Sequence, residues 1–251
     1  MTRLKMLAAA VGLLSLGLAG SASADQTYVA VAANFTDAAK EIAMAFKATS
    51  GHEAVLSFGS TGTLYTQITQ HAPFEVLLSA DDERPAKAVR EGFGVAGSTF
   101  TYAVGKLVLW SKTASVVTGE ETLKGDTFAK LSIANPAAAP YGEAAIETLK
   151  RLDLYARLEP RIVQGNSIGQ AFQFIDTGNA EVGFVALSQL AGRNEGSRWL
   201  VPENLYTPIL QDAVLLKRGA DSEAAKAFLA FLKGPQAKAI IERFGYGSVA
   251  E

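Results

Sequence analysis

Short β-branched apolar runs alternate with segments of helical period along most of the chain, and each change of period passes through small, hydroxyl or amide residues. Tyr28-Val29-Ala30-Val31-Ala32 reads as a buried strand. Over 37–47, Ala38, Ile42, Ala45 and Phe46 recur at helical spacing, and Gly51 supplies the stop. The same alternation predicts strands over 53–58, 76–78, 131–134, 161–163 and 181–186. It predicts helices through Leu64, Tyr65 and Ile68 and over 86–90, 142–152 and 168–176. Two further apolar stretches, 102–110 and 209–216, read as strands between and after these series. Helices over 222–232 and 235–244 close the chain, divided by Gly234-Pro235, a stop followed by a start. This alternation predicts an α/β fold of mainly parallel sheets with helices on both faces. Two βα series linked by long strands predict two lobes: 25–106 begins the first, 107–207 forms the second, and 208–251 returns to the first.

Residues 1–24 follow a different logic. Arg3 and Lys5 precede an apolar run over 6–20, and Ala22-Ser23-Ala24 follows, the three regions of a cleavable signal peptide. The run falls short of the roughly 20 residues a membrane span needs. The chain has no cysteine, so no thiol is present for a lipid anchor, a disulfide, an iron–sulfur cluster or a thiol nucleophile. The expected product is an exported, freely diffusing protein. Loss of Arg3 and Lys5 lowers the formal net charge by two units from −2, and a chain with no basic excess has no footprint for nucleic acid.

Four strand-to-helix junctions hold the candidate chemistry: Ala33-Asn34-Phe35-Thr36, Gly59-Ser60-Thr61-Gly62-Thr63, Ala138-Ala139-Pro140-Tyr141-Gly142 and Gly165-Asn166-Ser167-Ile168-Gly169. In open α/β sheets, ligands bind beyond the carboxyl ends of the strands, where such junctions lie. Helix N-termini present unpaired N–H groups and a partial positive charge, so they accept anions without a cationic side chain. None of the four junctions contains Lys or Arg. Two junctions from each lobe can therefore converge on one small oxyanion held by neutral donors. Taken singly, Asn34, Thr61 and Ser167 are more simply read as caps of their own helices.

Several blocks carry a family resemblance. Ala32-Ala33-Asn34-Phe35-Thr36-Asp37-Ala38, Ser57-Phe58-Gly59-Ser60-Thr61-Gly62-Thr63-Leu64-Tyr65, Ala72-Pro73-Phe74-Glu75-Val76-Leu77-Leu78-Ser79-Ala80-Asp81 and Lys233-Gly234-Pro235-Gln236-Ala237 resemble the periplasmic molybdate-binding proteins. Asn135-Pro136 through Gly142 and the closing Arg243-Phe244-Gly245-Tyr246 fit the same pattern. The resemblance implies a two-lobed periplasmic binding-protein fold of type II-like organisation, closing on molybdate or tungstate in the interdomain cleft. It implies delivery to an ABC-type permease of the inner membrane by a monomer without cofactor, catalytic residue or direct cation site. By position, the ligand residues it implies are Asn34, Thr61, Tyr141 and Ile168, the last two through backbone N–H groups, with Ser60 beside Thr61. Some members place a Tyr where this chain has Ala186, so that position is a further expected contact lacking the hydroxyl.

Molybdate and tungstate are tetrahedral dianions without a proton near neutral pH, so every contact should be a donor. Hydrogen phosphate would want an acceptor, for which Asp37 and Glu143 are the nearest carboxylates. Both fall in first helical turns, where acids serve the helix dipole. Sulfate matches molybdate in charge and shape and is separated from it by size. Sulfate or phosphate binding is thus the alternative of the same class, and an exported serine hydrolase using Ser60 with His71 is the alternative of another. Gly59-Ser60-Thr61-Gly62 matches neither the nucleophile elbow nor a phosphate-binding P-loop. His52 and His71 are isolated, and Asp81-Asp82-Glu83 lacks the spacing of a calcium loop.

Overall fold

A computed structural model describes residues 25–248. The segment read as a signal peptide lies outside the described residues. Strands β1 (Gln26–Ala32), β2 (Glu53–Gly59) and β3 (Val76–Leu78) alternate with helices α1 (Thr36–Ser50), α2 (Thr61–Thr69) and α3 (Glu83–Arg90). After β4 (Phe100–Gly105) and β5 (Leu107–Ser111), a second series runs through α4 (Glu121–Lys124), β6 (Leu131–Ala134), α5 (Pro140–Arg151), α6 (Tyr155–Leu158), β7 (Ile162–Gly165), α7 (Ile168–Asp176), β8 (Val182–Ala186) and β9 (Ser197–Leu200). The described chain closes with β10 (Ile209–Leu215), α8 (Glu223–Lys233) and α9 (Pro235–Arg243).

The strands form two five-stranded sheets, ordered β2-β1-β3-β10-β4 and β7-β6-β8-β5-β9, and each sheet is the centre of one lobe. Within each βα series the pairs are parallel, as in β1 with β2 and β6 with β7. β10 and β5 run antiparallel to both of their neighbours, so the sheets are mixed rather than mainly parallel. Both strands enter their sheets from a crossing between lobes, not from a right-handed βαβ turn, and that reverses their direction.

The stretch 102–110, expected as one strand, is two strands in different sheets, with Lys106 between them. Apolar periodicity could not reveal the change of sheet, because Ala103, Gly105 and every residue of β5 are buried in one lobe or the other. β9, unexpected from the sequence, is an edge strand whose residues alternate between partly buried and exposed.

Each sheet buries both faces. In β1, Val29 and Val31 pack with Phe46, Phe228 and Ile241 beneath α1, α8 and α9. Ala30 points the other way, toward Leu64 and Ile68 of α2. That alternation is the period of a strand read out in three dimensions. In the second lobe, Leu131 and Phe184 share a core with Ala145 and Leu149 of α5, whereas Trp110 and Val185 pack with Ile175 of α7. Among the described residues no helix is long and apolar enough to cross a membrane.

Candidate ligand-binding site

Sheet register brings the four junctions together in pairs. Ala32 at the end of β1 lies opposite Gly59 at the end of β2, so the turn bearing Asn34 sits beside the start of α2. Ala134 lies opposite Gly165, which sets the N-terminus of α5 beside that of α7. The two pairs face each other across the lobes and line a small, tight cavity walled by Ala32, Ala33, Asn34, Ser60, Thr61, Ala80, Ala139, Pro140, Tyr141 and Ile168. Asn34, Ser60, Thr61, Tyr141 and Ile168 are each at most 5% exposed, and no residue that lines the cavity is ionisable at neutral pH.

The donors have a simple local origin. Thr61 and Ile168 are the first residues of α2 and α7, and Tyr141 is the second residue of α5, directly after Pro140. N–H groups of a first turn have no carbonyl within their own helix. Pro140 fixes the helical start and has no N–H of its own, which leaves the Tyr141 N–H as the first donor of α5. Ser60 and Ser167 cap α2 and α7 by accepting from Thr63 N and Gln170 N. Asn34, by contrast, makes no cap; it sits in a 3-10 turn before α1.

The two hydroxyls of the second junction have separate partners. Thr61 Oγ1 accepts from Ala80 N at 3.1 Å, so its own proton is available. Ser60 Oγ pairs with Thr63 Oγ1 at 2.7 Å, and its proton is available when Thr63 donates. Burial pushes the phenols of Tyr102, Tyr141 and Tyr246 above their ordinary range, so all three remain neutral hydroxyls.

Ala186 is buried at the end of β8 but contributes no atom to the cavity wall, and its N–H donates to Gln189 Oε1 at 2.9 Å. Gln189 Nε2 in turn donates to Ile168 O at 3.1 Å, which ties the start of α7 to β8. Asp37 and Glu143 are exposed and line no part of the cavity. Ser60 and His71 stand at opposite ends of α2, separated by a rise of roughly 15 Å, so Ser60 has no histidine base. His71 instead adopts a left-handed φ of 63° beside Phe93. Among the described residues no cluster of acids and histidines could hold a metal ion. Asp81 serves α3, accepting from Arg84 N at 3.0 Å and pairing with the Arg84 guanidinium.

Contacts between the lobes surround the cavity. Gly62 N–H donates to Ala138 O at 2.9 Å, and Ser188 Oγ donates to Asn34 O at 2.9 Å. Beneath the cavity floor, Gln211, Tyr102, Tyr246 and Ser188 form a polar layer that reading by local segments missed. Its one sequence signal was the polar pair Gln211-Asp212 inside the strand Ile209–Leu215.

Two lobes joined by two crossings, with helix N-termini from each converging on one cavity, define a two-lobed solute-binding protein. The sequence matches the bacterial extracellular solute-binding protein family over residues 27–247. It is 55% identical to the molybdate-binding protein ModA of Rhodobacter capsulatus, over 93% of this chain and 92% of that protein. Identity to ModA of Azotobacter vinelandii is 52%, over 92% of this chain and 93% of that protein. A solved periplasmic molybdate-binding protein of Azotobacter vinelandii superposes with a TM-score of 0.87 at 41% identity, covering 89% of this chain and all of the other. The chain therefore belongs to the bacterial extracellular solute-binding proteins, in the branch of the ModA proteins.

Proposed function

We propose that the protein captures molybdate as a tetrahedral dianion between its lobes and presents it to an ABC importer. The observation that carries this reading is the cavity itself: four donor-bearing junctions, two from each lobe, and no ionisable side chain on the wall. Backbone N–H groups of Thr61, Tyr141 and Ile168, the Asn34 turn, and the hydroxyls of Ser60 and Thr61 are the proposed ligand set. The names and high identity of the ModA relatives support molybdate over other solutes. Tungstate, with the same charge and shape, is expected to bind as well.

Hydrogen phosphate keeps a proton that needs an acceptor, and no carboxylate stands in the cavity wall. Binding rather than catalysis is the work of such a site, since Ser60 lacks a base. Residues 25–106 and 208–251 form one moving lobe and 107–207 the other, a division supported by the membership of the two sheets. The segment 1–24 directs export to the periplasm, and the carrier works as a monomer docking on the permease.

Tryptophan fluorescence tests the reading directly. Trp110 stacks on Phe172 of α7 with centroids 5.1 Å apart, so a ligand held at Ile168 perturbs it. Saturable one-to-one quenching or enhancement by molybdate, with a raised melting temperature, is expected. Silence toward molybdate, tungstate, sulfate and phosphate alike would refute it.

A further inference from the structure

Gln211 is fully buried on β10, at the point where the register between β10 and β4 shifts. Such a bulge re-aims a side chain. Its amide reaches both lobes: Nε2 donates to the Tyr141 hydroxyl at 3.1 Å, and Oε1 accepts from Asn34 Nδ2 at 2.9 Å and from the Tyr102 hydroxyl at 3.2 Å. A glycine at 105 makes this meeting possible, because a Cβ there would lie 2.3 Å from the Tyr141 hydroxyl oxygen and 2.7 Å from Gln211 Nε2.

Asn34 Nδ2 also donates to the Tyr246 hydroxyl at 3.0 Å. Both amide protons of Asn34 are thereby engaged beneath the cavity. Its Oδ1 is buried and has no hydrogen-bond partner among the described residues. A buried acceptor left unpaired on a residue that lines an anion cavity is unfavourable.

A half-turn of both terminal amides exchanges their nitrogen and oxygen positions and resolves the whole set. Gln211 Nε2 then donates to Asn34 Oδ1, and Gln211 Oε1 accepts the proton of the Tyr141 hydroxyl. The Tyr102 hydroxyl keeps its bond to Ser79 O at 2.9 Å, while the Tyr246 hydroxyl turns its proton from Asn34 O to Asn34 Oδ1, and Asn34 O still accepts from Ser188 Oγ at 2.9 Å. Asn34 Nδ2 takes the place of the orphaned oxygen as a free donor.

We propose that Gln211 is a positioning residue, which holds the Asn34 amide with its NH2 toward the bound oxyanion and couples that orientation to Tyr141 of the opposite lobe. The inference rests on the oxyanion reading above and extends it to selectivity. With the NH2 presented, the site suits a dianion without a proton; with Oδ1 presented, it would suit the proton of hydrogen phosphate.

A double-mutant cycle on the whole protein tests it, with sodium molybdate as the probe in titration calorimetry. Gln211→Met keeps length and apolar bulk but removes both hydrogen-bonding ends. In the wild-type background it should weaken molybdate binding roughly 10- to 100-fold, the value of one hydrogen bond to a charged group. In an Asn34→Ala background it should cost less than about twofold, because the effect runs through Asn34. Equal losses in both backgrounds would mean that Gln211 is merely structural and would overturn the proposal, while leaving molybdate capture standing. Failure of the wild type to bind any oxyanion would overturn the site reading and this inference together.

A second measurement needs no substitution. The side-chain NH2 resonances of Asn34 in the 15N-labelled wild type should shift on saturation with molybdate. Unmoved Asn34 NH2 resonances in a protein that does bind molybdate would overturn the proposal as well.

Discussion

The N–H of Gly62 donates across the lobes to the carbonyl oxygen of Ala138 at 2.9 Å, in the turns that bear Thr61 and Tyr141. A Cβ on Gly62 would stand 3.0 Å from Ala138 Cα and 3.1 Å from its oxygen. The lobes thus meet backbone against backbone beside the cavity, and a side chain at residue 62 would force Ala138 to give by a few tenths of an ångström.

Gly62→Ala should therefore separate stability from binding. Gly62 is the second residue of α2, where alanine favours the helix by up to about 1 kcal/mol. The free protein should melt at the same temperature or higher. Molybdate should bind several-fold more weakly, since a hydrogen bond of about 1 kcal/mol between the lobes is weakened. Calorimetry and thermal melting on the same samples check both halves.

Thr61→Ala should weaken molybdate binding by about 1–2 kcal/mol, the loss of one donor to a charged group. It also leaves Ala80 N without its present acceptor, so a small drop in melting temperature is expected. Ile168→Val should leave affinity nearly unchanged, because the proposed contact is its backbone N–H. Large and equal losses at the two positions would show that the Ile168 side chain, not its backbone, matters.

Asp212, buried beside Gln211, has a carboxyl raised above its ordinary value, chiefly by burial and opposed by the hydrogen bond from Thr101 Oγ1 at 2.6 Å. A raised folded value means that the native state holds this proton more tightly than the unfolded chain does. Its contribution to stability is therefore fully present below the ordinary carboxylate value of about 4 and is lost as pH rises through the folded value. The melting temperature of Asp212→Asn relative to wild type should then be higher at pH 7 than at pH 4. A difference that is flat with pH would contradict the shift.

The donor-bearing junctions were legible in the sequence because each is a contiguous run whose chemistry is local: a strand end, a small or hydroxyl residue, and a helix start. Pro140 before Tyr141 and Ser167 before Ile168 announce first turns by themselves. Although the lobes were divided between 106 and 107, the break of 102–110 into two strands at Lys106 was not legible, since a strand buried in one lobe and a strand buried in the other have the same apolar pattern. Nor was the layer beneath the cavity. Gln211 meets Tyr141 and Asn34 across separations of 70 and 177 residues, and no local spacing encodes such a meeting. At Ala186, expected from the sequence as a further contact, the backbone N–H donates to Gln189 Oε1.

Competition calorimetry with the mature protein tests the central claim, an uncharged cavity of donors that selects a proton-free dianion. Molybdate should bind one-to-one with a Kd below about 1 μM, equivalent to roughly 8 kcal/mol or more. Hydrogen phosphate and sulfate in about hundredfold excess should leave the isotherm unchanged, the first for want of an acceptor and the second for size. Displacement of molybdate by equimolar phosphate or sulfate would contradict the account.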